Sequence, residues 1–122
     1  MNIPIKIFKV SAQLEKDEFD VTVSHWKLLL ETGRYYEIKP ESGPVKRIYK
    51  EKLHTVVDDT KFYTNGFLAC SAFCIEDRIQ EMHIEILHKL QMKVKAYMDE
   101  LRMNQRAIEL QFKIPEAELQ EE

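Results

Sequence analysis

The chain has 122 residues, with 18 lysines and arginines against 21 aspartates and glutamates, for a net charge of −3. A length of this order with 44% hydrophobic residues suits a single core, and the near-balanced charge excludes a global positive field that would recruit nucleic acid or an anionic membrane. Three glycines leave no Gly-rich phosphate loop, and no apolar run approaches the roughly 20 residues of a membrane span.

The first stretch, MNIPIKIFKV, is interrupted by Pro4, Lys6 and Lys9 and carries no small-residue cleavage site, so it does not read as a signal peptide; the expected location is the cytoplasm. Ile3, Ile5 and Ile7 alternate with Lys6 and predict a half-buried strand. Ser11 to Asp17 reads as a turn or loop. Phe19, Val21 and Val23 make a second strand, and the phase changes at SHWKLLLETG. As a helix, that stretch has Ser24 as N-cap and Gly33 as stop; as a strand, Trp26, Leu28 and Leu30 continue after a bulge near Ser24. The strand reading is preferred. RYYEI favours β structure, Pro40 to Pro44 forms a loop, and VKRIYKEKLHTVV is a strand with a short turn at Lys50 to Leu53. Asn65-Gly66, between KFYT and FLACSAFC, predicts a tight hairpin turn because both residues tolerate positive φ.

From Ile75 no Gly or Pro occurs until Pro115, and apolar residues recur at Ile75, Ile79, Met82, Ile86, Leu90, Val94, Tyr97, Leu101 and Ile108. This spacing averages about 3.67 residues per turn and predicts a nearly straight helix, not a left-handed supercoil, to about residue 111. Such a helix is roughly 50 Å long, whereas a compact chain of this size is about 30 to 35 Å across. It overhangs its own sheet unless it breaks near MDELRMNQ and folds back. A second apolar set, Ile84, Leu87, Met98 and Met103, widens the stripe, so a homodimer or higher homo-oligomer is expected. The fold class is α+β: an antiparallel sheet of about four to six strands, sequence 1–74, then one long C-terminal amphipathic helix that dimerises. Residues 1–114 form one domain, with an acidic tail at 115–122.

Chemistry-bearing clusters are sparse. Cys70, Cys74, His83 and His88 have zinc-ligand identities, but positions five apart on a helix point about 140° away from each other, so no metal and no cofactor are expected. With no export signal, the two cysteines read as reduced, buried thiols. His25 and His54 sit in no recognisable acid–base motif, and no enzymatic activity is expected. Lys46, Arg47, Lys50 and Lys52 with Tyr49 interleaved suit either phosphate contact with base stacking or a solvated strand face. Arg102 and Arg106 stand one helical turn apart beside Asn104 and Gln105. They suit either a phosphate-binding pair or salt bridges to Asp99 and Glu109.

The order of elements, with TGRYYEIKPESGPVKRIYKEKL in the strand region and one long helix bearing RMNQR, resembles small bacteriophage-encoded proteins. Within that group the chain is similar to the first type of Thoeris anti-defence protein, which sequesters cyclic ADP-ribose signals without cleaving them. The resemblance implies a non-enzymatic sponge in the host cytoplasm. Its ligand-binding residues would be Arg102 and Arg106 on the terminal helix, with Phe73 and Arg47; Asn104, beside the arginines, joins them as a candidate from its helix position. The expected function is therefore sequestration of a small nucleotide-type signal. The alternative is a protein-binding inhibitor or adaptor that uses the long helix against a host macromolecule.

Overall fold

The computed structural model describes residues 5–60 and 66–113. Six antiparallel strands form one curled sheet in the order β4-β3-β2-β1-β6-β5. The strands are β1 (Ile7–Glu15), β2 (Glu18–Glu31), β3 (Tyr35–Pro40), β4 (Lys46–Tyr49), β5 (Val57–Asp58) and β6 (Phe67–Ile75). A 3-10 turn at Glu76–Arg78 leads into α1 (Ile79–Phe112). The α+β architecture read from the sequence is the one observed.

β1 runs longer than expected, and Ile3 of the predicted strand lies outside the described residues. Ser11–Glu15 continues the strand, paired from Ser11↔Thr22 to Glu15↔Glu18, so the predicted loop shrinks to Lys16 and Asp17. Lys16 takes the left-handed conformation, φ 56°, that lets so short a turn reverse the chain. SHWKLLLETG is strand up to Glu31, with its irregularity between Leu28 and Leu30 rather than near Ser24. The β2–β3 turn is tied by Thr32, whose Oγ1 accepts the N–H groups of Arg34 (3.2 Å) and Tyr35 (3.0 Å). VKRIYKEKLHTVV is interrupted where the short turn is expected: β4 ends at Tyr49 and a 3-10 turn covers Lys50–Lys52, although the strand after it, β5, is only two residues long. Asn65 of the predicted hairpin turn lies outside the described residues, and Gly66 has the positive φ, 71°, that the turn chemistry requires.

The period of two sorts the sheet into two faces. On the concave face Ile7, Tyr36, Ile38, Ile48 and Phe73 form a buried cluster, with Trp26, Leu28 and Leu53 packed against it. On the opposite face Val10, Ala12, Leu68, Cys70 and Cys74 are buried, together with Met82, Ile86 and Leu90 of α1. Those three helix residues recur every four positions and give the sheet one side chain per turn, each contributing about 1.5–3 kcal/mol by burial. Cys70 and Cys74 are both buried thiols of this face.

The chain divides into two compact units, one up to Leu90 and one from Gln91 onward. α1 is unbroken through MDELRMNQ. In the second unit, among the described residues, no side chain is buried; Met98 to Lys113 are all exposed. No helix of the described residues is long and apolar enough to cross a membrane.

Candidate functional site

The concave face does not fill completely. A cleft of about 240 Å³ opens on it, lined from β4 by Lys46 and Ile48, from the following segment by Lys52 and Thr55, and from the central strands by Lys9 and Phe73. Register explains the convergence. Lys9 lies opposite Phe73 in the β1–β6 ladder, and Lys46 lies opposite Ile38, on the same face, in the β3–β4 ladder.

Phe73 is the floor. Trp26 meets it edge-on, with ring centroids 5.0 Å apart. Lys9 Nζ sits 5.6 Å and Lys46 Nζ 5.1 Å from the Phe73 centroid, and Lys9 also lies 5.9 Å from the Trp26 ring. Two ammonium groups thus converge on one aromatic face, held partly by cation–π attraction. Neither is in an ion pair with a carboxylate among the described residues. Val57, Asp59 and Ser71 complete the wall at the β5 edge. The result is cationic and aromatic at its base, with hydroxyl and carboxylate groups at one side.

His54 precedes Thr55 of the cleft wall and ties this segment to β6. Its backbone is left-handed, φ 64°, its N–H donates to the Phe73 carbonyl at 2.7 Å, and its Nε2 accepts the Ile75 N–H at 3.1 Å. β5 pairs with β6 at Ser71 and Cys70, so His54 supplies partners for the part of β6 that β5 does not reach. Desolvation, then the Arg78 guanidinium, lowers the His54 pKa below its ordinary value, which keeps Nε2 an acceptor. This histidine is structural in geometry. Burial pushes the Cys74 thiol up, with Arg78 opposing, so it is a poor nucleophile.

Of the residues singled out in the sequence, Phe73 and Arg47 both line the cleft. The Arg47 guanidinium is engaged away from it: Nε donates to Glu37 Oε1 at 3.1 Å, and Cζ lies 4.7 Å from the Tyr35 ring centroid, both on the convex register of β3. Lys46, Lys52 and Tyr49 of the basic segment also line the cleft, whereas Lys50 pairs with Glu31 at 2.7 Å. Arg102, Asn104 and Arg106 are exposed residues of the second unit, and Arg102 Nη1 lies 3.4 Å from Asp99 Oδ1. Lys9, Thr55, Asp59 and Ser71 were missed. Lys9 reads as the polar side of an alternating strand, and no local signal announces the strand pairing that sets it over Phe73. Among the described residues no group of three or more His, Cys, Asp and Glu side chains could hold a metal ion. No known family model matches the chain, and no curated protein or solved structure matches it, so the site is read from its geometry.

Proposed function

We propose that this protein captures a small anionic ligand of nucleotide type in the concave cleft and does not convert it. The observation that carries this reading is the pair of ammonium groups, Lys9 and Lys46, set over the Phe73 ring. Phosphate oxygens are natural partners for two such donors, and Lys52 on the cleft wall adds a third cation. The apolar side of a sugar or base finds Ile48, Val57 and Phe73, and Thr55, Ser71 and Asp59 offer hydrogen bonds to hydroxyl or base-edge groups. A volume of about 240 Å³ suits part of a dinucleotide or one mononucleotide. The capture reading is supported by the nature of the lining, which is lysine, aromatic, aliphatic and hydroxyl in character with one carboxylate at its edge. The narrower form, a phage sponge for a cyclic-ADP-ribose-like signal, rests on the resemblance in layout.

Trp26 is the sole tryptophan of the chain and touches Phe73, so its emission reports on the cleft directly. Titration with cyclic ADP-ribose, ADP-ribose, adenosine and pyrophosphate should shift that emission for the phosphate-bearing nucleosides. Chromatography should then return the ligand chemically intact. Binding that is equally tight in Lys9→Glu and Lys46→Glu, with the fold retained, would overturn the site; a hydrolysed product would overturn capture.

A further inference from the structure

We infer that two copies of the chain pair in parallel through residues 91–112 of α1, as a two-stranded coiled coil. Gln91, Val94, Met98, Leu101, Gln105, Ile108 and Phe112 succeed one another at alternating spacings of three and four residues. That is a repeat of 3.5, shorter than the 3.67 average from Ile75 to Ile108, so over this part of the helix the stripe that stays turned toward a partner is that of a left-handed supercoil rather than of a straight helix. The stripe is open: Leu101 is 60%, Ile108 59% and Phe112 84% exposed. It extends along roughly 33 Å of helix.

The polar residues within the stripe identify the occupant. Gln91, Met98, Gln105 and Phe112 take one core position of the repeat, and Val94, Leu101 and Ile108 take the other. In an antiparallel pair each residue of the first kind meets one of the second kind, so both glutamines would lie against aliphatic side chains with their amides unpaired. In a parallel, in-register pair Gln91 meets Gln91 and Gln105 meets Gln105 of the second copy, amide to amide. A copy of this chain supplies that match at both positions; a foreign helix needs polar groups spaced fourteen residues apart to do so.

The flanking residues agree. Lys95, Arg102 and Glu109 form one flank, and Tyr97, Asn104 and Gln111 the other. An antiparallel pair sets the charged flank against itself, with basic residues in the majority. A parallel pair sets it against the uncharged flank, where Tyr97 can receive Arg102 on its ring and Asn104 can donate to Glu109. This inference does not depend on the ligand reading of the cleft.

Sedimentation equilibrium of the full chain tests it. The expected mass is twice the 14.5 kDa of one chain. Leu101→Glu combined with Ile108→Glu should return one chain, whereas Met103→Glu, on the far side of the helix, should leave the pair intact; unchanged Trp26 emission verifies the sheet in each variant. Phe112→Cys should give a covalent pair under mild oxidation, as the parallel register requires, and the unsubstituted chain, whose two cysteines are buried, should give none. Any other mass for the unsubstituted chain, a pair that survives the double substitution, or no cross-link from Phe112→Cys overturns the proposal.

Discussion

The concave sheet face and the helix beyond Leu90 are built from the same kinds of residue and use them in opposite ways. Both carry lysines or arginines beside aromatic and aliphatic side chains. On the sheet, cations from strands far apart in sequence converge on Phe73, because Lys9 faces it in the β1–β6 ladder and Lys46 arrives from β4, the fourth strand from β6 in the sheet. On the helix, Arg102 meets the Asp99 carboxylate three residues back and stays in solvent. Composition is therefore a poor guide to a site. What distinguishes the two regions is whether non-local pairing concentrates charge over an aromatic floor with no carboxylate paired to it among the described residues, or local spacing neutralises it in water.

The largest test of that contrast concerns stability. Ile86→Ala removes a side chain that is fully buried beneath the sheet and should cost about 2–5 kcal/mol in urea denaturation. Ile108→Ala on the exposed part of the same helix should leave the urea midpoint followed through Trp26 unchanged while weakening association. Equal losses from both substitutions would erase the distinction between the two regions. Next in size, Lys46→Glu places an acid over the Phe73 ring and should weaken nucleotide binding at least tenfold, roughly 1.4 kcal/mol or more. Isothermal titration calorimetry at two salt concentrations checks it, with the slope against salt also falling. Retained affinity would mean that the convergence over Phe73 is a packing device.

Sequence periodicity carried the sheet-then-helix layout well, since Phe19, Val21 and Val23 and the recurrence of Met82, Ile86 and Leu90 each declare their period locally. It failed at Ser11–Asp17, where Ser11, Gln13 and Glu15 look like a polar loop although Ala12 and Leu14 alternate with them and Ala12 is buried in the strand. The turn itself is made by Lys16, a residue that gives no hint of left-handed backbone. Of the cleft, Phe73 and the Lys46–Lys52 segment could be picked out by residue type. Lys9 could not, because its role exists only once the register across β1 and β6 is known. The direction of the Arg47 side chain was equally hidden, being decided by which face of β4 the strand turns toward Glu37 and Tyr35.

The smallest effect should come from His54, which ties the segment before Thr55 to β6 through two bonds to that strand's backbone. Its imidazole must be neutral to accept the Ile75 N–H, and desolvation and Arg78 both disfavour the proton, with Glu81 and Glu85 partly opposing. The folded pKa lies below that of the unfolded chain, so the unfolded state binds more protons and stability rises with pH through this group. The contribution is complete above about 6.5, the ordinary histidine value, and is lost as pH falls below it toward the lowered folded value. Partial exposure of His54 screens the effect by solvent, which is why it ranks last. Urea midpoints measured from about pH 7.5 down to about pH 5.5 should decline, and His54→Gln, whose amide oxygen can still accept from Ile75, should decline less steeply. Parallel declines in the two proteins would show that the proton is taken up elsewhere. A flatter curve for His54→Gln, together with ligand affinity that weakens below about pH 6.5 in the unsubstituted chain, would tie the cleft to this clasp beside Thr55 and leave the pairing of the helix unaffected.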